Sequence, residues 1–368
     1  MSKKPVFAIL GAGNGGFVTA ADLTLRGYEV RLFELAEFAA TIEPILENDG
    51  IALRGIAGEG LAMPTLVSSD IEKTLDGADV ILVIVPSMGH REIARVCAPY
   101  LKPEQIVVLI PGNFGGVLEF RQELLANGGT KDVTIAETTS LMFAAKKEGT
   151  NGIWARGLKQ YLPLAAFPAS RTDDVLAVLN EAYPQFVAVA NVMETSLNNL
   201  NPIVHPAAML TNVGFIESQR VPEWYFYKDG YTQGAGHIAD QMDNERLALL
   251  TAFGLPEISA TETLHRFYGH QGMNGDSLYS LFSESPVHSA ALGPKSSENR
   301  MLSEDIPYGL VPYVSLAKML GSATPMMDAA ITMASVVNQT DYRKTGRTVE
   351  TLGLAGMSVQ QIQDFVNQ

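Results

Sequence analysis

Three glycines near the start of the chain have the spacing that suits the phosphates of a dinucleotide. Gly11, Gly13 and Gly16 follow a short apolar run at residues 6–10 and open a helical pattern. The first glycine permits a tight turn, the second lets a pyrophosphate approach the backbone, and the third lets the helix pack on the strand. The helix N-terminus adds free N–H groups. We predict that Gly11, Gly13, Asn14 and Gly16 bind a cofactor; a glycine turn without a ligand is the alternative.

A second strand pattern, at residues 30–33, ends at Glu34. A carboxylate at this place accepts hydrogen bonds from a ribose 2′-hydroxyl and repels a 2′-phosphate. The next three residues include no Arg or Lys that would hold such a phosphate. The sequence therefore favours NAD(H) over NADP(H), with Glu34 as a cofactor-binding residue. The alternative is that Glu34 only closes the strand in solvent.

His205 is the most constrained of the six histidines. It lies in the run Asn-Pro-Ile-Val-His-Pro at residues 201–206. Asn201 can cap a helix, Pro202 fits the first helical turn, and Pro206 should kink the helix. An imidazole held in this way is a candidate for acid–base catalysis. A buried core histidine with satisfied hydrogen bonds fits the sequence about equally well.

Arg300 and Asp305 lie five residues apart, before a helical pattern that begins near residue 310. The guanidinium of an Arg suits a carboxylate because it forms two parallel hydrogen bonds. An Asp can hold an imidazole in one tautomer. The two residues could therefore line a substrate site, with Arg300 as a substrate-binding residue. A surface ion cluster before a helix is the alternative.

Loops at the carboxyl ends of parallel strands are further places for a ligand. Besides residues 11–16, the sequence offers such loops at 86–88 and 111–116 and a polar strand end at 137–140. We select Pro86 and Ser87 as cofactor-binding candidates and Asn113 and Thr138 as substrate-binding candidates. Each of them, taken alone, fits a turn or cap residue better.

The elements that must position these residues alternate up to about residue 190. Buried-strand patterns at residues 79–85, 105–110 and 133–136 alternate with helical patterns at 90–101 and 117–125. This alternation predicts an α/β Rossmann domain with a doubly wound, mainly parallel sheet. Residues 153–155, 162–167 and 186–192 are expected to extend the same sheet. Residues 37–46 are expected to form a helix that Pro44 ends or kinks, and residues 50–69 a pair of short strands or a loop.

Long amphipathic patterns dominate the rest of the chain. They lie at residues 238–253, 257–268, 310–320, 325–337 and 359–366. The second domain is therefore predicted to be all-α. We place a dinucleotide-binding domain at residues 1–190 and a helical substrate-binding and catalytic domain at 191–368.

Composition limits the partners of the protein. The net charge of 26 − 40 = −14 opposes binding to nucleic acid or to an anionic membrane surface. The single cysteine, Cys97, excludes an internal disulfide and suits a reducing compartment. There is no apolar run of membrane-spanning length, and the chain enters its first strand too early for a signal peptide. We predict a cytoplasmic protein without a metal site.

The motifs together resemble those of the opine dehydrogenase family, most closely its bacterial N-(1-carboxyethyl)norvaline dehydrogenase type. They are the glycine turn with Phe17, the run at residues 201–206, Arg300 with Glu304 and Asp305, the run at 341–350, and Leu-Gly-Leu at 352–354. The resemblance covers essentially the whole chain. It implies a cleft between two domains and a homodimer. It also implies that His205 and Asp305 are a catalytic pair and that Arg300 binds the substrate carboxylate.

This resemblance, with the residues above, predicts an NADH-dependent reductive condensation of a 2-oxo acid, pyruvate first, with the amino group of an amino acid. Arg300 would orient the oxo acid, His205 would exchange protons at the carbonyl oxygen or imine, and Asp305 would orient His205. One alternative is a 2- or 3-hydroxy-acid dehydrogenase similar to ketopantoate reductase. Another is a non-catalytic NAD-sensing protein. The amine partner is left open.

Overall fold

The computed structural model describes residues 4–221 and 223–368. These residues form two compact units. The first unit contains the chain up to Gly112, Gly116–Val192 and Asn367–Gln368, and the second contains Asn113–Gly115 and Met193–Val366. The chain thus leaves the first unit next to Val192.

An eight-stranded sheet organises the first unit, in the order β12-β11-β8-β7-β6-β1-β2-β5. Adjacent strands of this sheet are parallel, except for the pair β8 and β11, which is antiparallel. The strands of the unit are β1 (Phe7–Leu10), β2 (Val30–Phe33), β3 (Ile51–Gly55), β4 (Gly60–Ala62), β5 (Leu66–Ser68), β6 (Val80–Val83), β7 (Ile106–Leu109), β8 (Thr134–Thr138), β9 (Phe143–Glu148), β10 (Gly152–Leu158), β11 (Leu162–Phe167) and β12 (Phe186–Ala188). Its helices are α1 (Asn14–Leu25), α2 (Glu43–Glu47), α3 (Ile71–Leu75), α4 (His90–Cys97), α5 (Gly116–Ala126) and α6 (Thr172–Leu179).

Helix α1 lies between two sheets. One face contacts β1 and β2, and the helix also contacts all four strands of a small sheet with the order β4-β3-β10-β9. Residues from Gly16 to Leu23 of α1 are therefore buried without interruption. The small sheet brings β9 beside the turn that precedes α1, although the two are far apart in sequence.

Two sequence expectations for the first unit are wrong. Residues 153–155 belong to β10 of the small sheet and do not extend the large one, which β11 and β12 do extend. Pro44 is the second residue of helix α2 and does not end a helix, because its missing N–H costs nothing in the first turn. A 3₁₀ segment of six residues, Ala36–Thr41, precedes α2 and is separated from it by Ile42.

Helices make up the second unit. They are α7 (Val192–Leu197, which starts at the last residue of the first unit), α8 (Asn201–Thr211), α9 (Val213–Ser218), α10 (Gln233–Ala252), α11 (Ala260–Tyr268), α12 (Leu278–Ser283), α13 (Arg300–Ser303), α14 (Val311–Leu320), α15 (Pro325–Val337), α16 (Tyr342–Thr345) and α17 (Val359–Asn367). A π-helical segment, Ile306–Leu310, joins α13 to α14. The predicted fold class, a Rossmann domain followed by an all-α domain, is confirmed.

Helix α10 fixes its neighbours through buried charges. Arg246 is fully buried and donates to Asp243 at 2.7 Å, to the side chain of Asn198 at 2.7 Å and to the carbonyl of Ile258 at 2.6 Å. Glu245 accepts the N–H groups of two residues in the first turn of α15, at 2.8 and 3.0 Å. A carboxylate at a helix N-terminus satisfies N–H groups that have no partner within the helix.

The first unit also buries a lysine. Lys159 follows β10, is 6% exposed, and donates from Nζ to the carbonyl of Leu141 at 2.8 Å. Burial lowers the pKa of Lys159 to about 7, since desolvation disfavours the charged form.

Among the described residues, no helix combines the length and the apolar character needed to cross a membrane.

Candidate functional site

Two of the three glycines selected from the sequence, Gly11 and Gly16, have no room for a side chain. Gly11 has φ +107°, and a Cβ there would lie 2.5 Å from the carbonyl oxygen of Ile84. A Cβ on Gly16 would overlap the carbonyl oxygen of Gly11. A Cβ on Gly13 would meet no atom of the described residues within 4 Å. Packing within the protein therefore explains Gly11 and Gly16, while Gly13 borders space that a ligand can enter.

Gly13 is also the cap residue of α1. Its backbone is extended, and no side chain of the described residues caps the helix. The first N–H groups of α1 are thus available to an anion. This is the arrangement that the sequence predicted for a pyrophosphate at residues 11–16.

Glu34 is held against this turn. Its carboxylate is buried at 8% exposure and accepts the N–H of Ala12 at 2.7 Å and the N–H of Leu35 at 2.9 Å. A carboxylate has about four lone-pair sites, so two remain for a ribose hydroxyl. The alternative of a solvent-exposed strand end does not describe this residue.

Lys147, on β9, was missed by the sequence reasoning. Its N–H donates to the side chain of Asn14 at 2.9 Å, and its ammonium lies 3.4 Å from the centroid of the Phe17 ring. Burial lowers the pKa of Lys147 to about 8, and the charge of Glu34 opposes that change. A positive charge therefore stands near Glu34, on a strand that no local pattern connects to the turn.

The other candidates of the first unit lie at strand ends. Pro86 and Ser87 follow β6, where Ser87 is buried and begins a short 3₁₀ turn. Thr138 ends β8, and its hydroxyl lies 2.8 Å from the carbonyl of Ser140 and 3.5 Å from that of Leu109. The single proton of Thr138 is thus engaged by backbone, which weakens its case as a substrate ligand.

His205 and Asp305, 100 residues apart in sequence, meet in the second unit. His205 Nδ1 lies 2.7 Å from Asp305 Oδ2. The histidine side chain is 14% exposed and that of the aspartate 6%. Burial raises the pKa of Asp305, and the neighbouring His205 opposes that rise. The predicted pairing is therefore present as a short hydrogen bond.

Helix α8, which carries His205, begins differently from the prediction. The side chain of Asn199 accepts the N–H of Asn201 at 2.9 Å, while Asn201 itself already lies in the helix and does not cap it. Pro206 lies inside the helix, as predicted. Its ring nitrogen cannot donate to the carbonyl one turn earlier.

Asn113 belongs to a buried polar group in the second unit. It has φ +55°, donates to Glu304 Oε1 at 3.2 Å and accepts from the side chain of Asn199. Glu304 directly precedes Asp305. Asn113, selected from the sequence as a substrate ligand, thus contacts Glu304, which is next to Asp305 in sequence, and Asn199, which precedes the helix of His205.

Arg300 is exposed, with 58% of its side chain accessible. Its nearest ion partner is Glu304, at 3.8 Å from Nε. This distance is too long for a hydrogen bond. Among the described residues, no ion pair therefore holds the guanidinium in a two-point contact.

Tyr227 also contacts His205 and was not among the site residues selected from the sequence. Its hydroxyl oxygen lies 2.9 Å from His205 Nε2. In the sequence it belongs to an aromatic run at residues 224–227, which fits either a core or the wall of a pocket. Over the described ranges, no group of three or more His, Cys, Asp or Glu side chains is placed to hold a metal ion.

Comparison with known proteins gives matches for both halves of the chain. Residues 188–338 match the family model described as NAD/NADP octopine/nopaline dehydrogenase, alpha-helical domain. Residues 6–126 match the model described as NAD-dependent glycerol-3-phosphate dehydrogenase N-terminus.

Two relatives match along their full length. An opine dehydrogenase from Arthrobacter sp. (strain 1C) is 35% identical over 366 residues, which cover 100% of both chains. The vitopine synthase of Allorhizobium ampelinum is 26% identical, with 98% of both chains covered. Among solved structures, an octopine dehydrogenase with NADH and L-arginine has a TM-score of 0.76 at 23% identity, and 98% of each chain is covered.

Proposed function

The chain belongs to the opine dehydrogenase family, and we propose that it condenses a 2-oxo acid with the amino group of an amino acid and reduces the resulting imine with NADH. The product is a secondary amine dicarboxylate. The predicted family is confirmed, and with it the class of NAD-dependent oxidoreductases that act on CH–NH donors. Pyruvate is the first oxo acid to test.

The observation that carries the proposal is the 2.7 Å hydrogen bond between His205 and Asp305. Condensation requires a proton to leave the amine and another to reach the departing oxygen. An imidazole can perform both transfers. Asp305 holds the proton on Nδ1, so that Nε2 serves as the working nitrogen. A protein that only binds NAD has no use for such a pair.

Arg300 supports an acidic substrate. Its exposed guanidinium has donors available for a carboxylate, and it lies within the segment that supplies Asp305. We assign it to the carboxylate of the oxo acid. Asn113 is assigned to the same substrate region because it contacts Glu304 beside Asp305. Thr138 is kept as a weaker candidate.

The first unit is proposed to bind NADH. The free N–H groups of α1 would take the pyrophosphate, and Glu34 would accept the ribose hydroxyls. Hydride transfer is the chemistry of the cofactor, so the protein's part is to place and orient it. Residues 1–190 and 191–368 would then correspond to the cofactor and substrate domains.

The test is NADH oxidation with purified protein, pyruvate and a panel of amino acids. The proposal expects oxidation only when both an oxo acid and an amine are present, with the secondary amine found by mass spectrometry. Oxidation with the oxo acid alone would indicate a hydroxy-acid dehydrogenase. NADH binding without turnover across the panel would indicate a sensor. His205→Ala serves as the inactive control.

A homodimer and a cytoplasmic location are also proposed, from the sequence alone. Light scattering after size-exclusion chromatography tests the first, because a mass near twice 39.7 kDa is expected. Cell fractionation tests the second.

A further inference from the structure

Both ring nitrogens of His205 are occupied by protein groups. Nδ1 faces Asp305 at 2.7 Å and Nε2 faces the hydroxyl of Tyr227 at 2.9 Å. A carboxylate can only accept, so an ionised Asp305 places the proton on Nδ1. The lone pair of Nε2 is then directed at the hydroxyl of Tyr227, which donates to it. When the imidazole is protonated, Nε2–H donates to the same oxygen.

Aromatic packing holds the Tyr227 ring in this position. It stacks on Phe282 with a centroid distance of 4.9 Å and an interplanar angle of 20°. Phe226 lies edge-on to it at 4.9 Å, and the His288 ring lies tilted against it at 4.8 Å. The residue is 8% exposed. Moving the ring away from His205 would break these contacts, so a proton that passes through Nε2 meets the phenol oxygen first.

We infer that Tyr227 is the terminal acid of the site and that His205 exchanges protons with the substrate through the phenol hydroxyl. The inference rests on the proposed function. It makes Tyr227 a catalytic residue and His205 the group that recharges it. The observation that carries it is the occupation of Nε2 by a hydroxyl in a clamped ring.

The dehydration step shows the balance of atoms. The phenol O–H gives its proton to the hydroxyl of the carbinolamine formed from amine and oxo acid. The C–O bond breaks, water leaves, and the nitrogen lone pair forms the C=N bond. At the same time, Nε2–H of the imidazolium gives its proton to the phenol oxygen. Tyr227 ends as an intact phenol and His205 as a neutral imidazole. Two protons move in one step.

The chain offers a matched control in Tyr231. This tyrosine is 1% exposed and also contacts Phe282, at 4.6 Å between centroids. Its hydroxyl has no hydrogen-bond partner among the residues that the structure describes. Tyr227→Phe and Tyr231→Phe therefore each remove one buried hydroxyl from the same aromatic cluster, and only the first removes a contact to His205.

The experiment compares both variants with the parent protein under conditions of saturating NADH, pyruvate and amine. Tyr227→Phe is expected to lose about a hundredfold or more in kcat, in the range of a general acid, with an unchanged Kd for NADH. Tyr231→Phe should keep its kcat. In mixtures of H₂O and D₂O, kcat of the parent should follow a curved, two-proton dependence, which becomes linear in Tyr227→Phe.

Two results would overturn the relay. If kcat of Tyr227→Phe is unchanged, Nε2 acts on the substrate directly. If kcat falls but its dependence on D₂O stays curved, Tyr227 only positions His205. A third measurement does not depend on turnover: the ¹⁵N resonance of His205 Nε2 should move in Tyr227→Phe and stay in Tyr231→Phe. If the resonance shifts in Tyr227→Phe but the parent protein turns over no oxo acid with any amine, the proposed function is refuted, while the contact between Tyr227 and His205 stands.

Discussion

The dinucleotide turn of the first unit is built from backbone, whereas the His205 site of the second unit is built from side chains. At the turn, Gly11 and Gly16 leave no space for a Cβ, and the groups proposed to bind the cofactor are backbone N–H groups of one short run. At His205, three side chains meet through hydrogen bonds of 2.7 and 2.9 Å, and two of them lie 100 residues apart in sequence.

This difference predicts how each site fails. A site built from backbone is damaged when atoms are added, because it depends on the close approach of other groups to the backbone. A side-chain site is damaged by removing atoms, because each polar group depends on its partner.

The largest loss is expected on removal of the imidazole. His205→Ala should lower kcat by a factor of about 10² to 10⁴, the usual contribution of a general acid–base group. Binding of NADH, followed by fluorescence titration, should stay the same. Asp305→Asn acts through the same ring, so the double variant should be little worse than His205→Ala alone. Losses that simply multiply would mean that the two residues work independently.

A smaller loss is expected when the planar fork of Arg300 is replaced. Arg300→Lys keeps the charge but not the two parallel hydrogen bonds. Losing a charge-assisted bond costs about 1.5–3 kcal/mol, which corresponds to a roughly tenfold to hundredfold rise in the KM for pyruvate. The KM for the amino acid should move less. An exchange of the two effects would place the amino acid's carboxylate on Arg300 instead.

At the glycine turn, the same small addition should have two different results. Gly16→Ala forces a Cβ onto the carbonyl of Gly11 and should destabilise the protein by about 1–3 kcal/mol, as overpacking does. Gly13→Ala meets no protein atom within 4 Å. It should therefore weaken NADH binding but leave the melting temperature of the free protein nearly unchanged. Thermal unfolding with and without NADH separates the two, and equal melting temperatures for both variants would contradict the geometry.

The smallest effect concerns cofactor preference. Glu34→Gln keeps the side-chain shape but removes the charge that repels a 2′-phosphate. The ratio of kcat/KM for NADH to that for NADPH should fall by about tenfold, or roughly 1.4 kcal/mol, helped by the nearby ammonium of Lys147. Glu37→Gln, at an exposed position, is the control. A parent enzyme that already prefers NADPH would refute the assignment of Glu34.

The comparison also explains what the sequence could reveal. The strand, turn, helix and acid from β1 to Glu34 follow one another along the chain, so their spacing carried the prediction. The helices α10, α14, α15 and α17 were predicted from their apolar periodicity because each buries one face. The His205–Asp305 pairing was expected from the resemblance rather than from spacing, since no local pattern links residues so far apart.

What was missed depends on tertiary contacts. The small sheet pairs the short strands β3 and β4 with β9 and β10. A long stretch of chain separates the first pair of strands from the second. Lys147 reaches the glycine turn only because of that sheet. The sequence does not distinguish Tyr227 from Tyr231, because both belong to one aromatic cluster. The two differ in the structure, where the hydroxyl of Tyr227 lies at His205.

The buried amine of Lys159 has a consequence for the heat of unfolding. Its pKa is about 7 in the folded protein and about 10.4 in an unfolded chain. Between these values, the folded unit holds a neutral amine and the unfolded chain a charged one, so unfolding takes up a proton. Stability should therefore rise with pH over this window, by up to about 1.4 kcal/mol per unit.

Because that proton comes from the buffer, the calorimetric enthalpy of unfolding at pH 8 should depend on the ionisation enthalpy of the buffer used. Tris, which releases a proton with a large heat, and phosphate, which does so with a small one, should give different values. Lys159→Met should reduce that difference. The buried lysine thus couples the unfolding of the first unit to the uptake of a proton from the buffer.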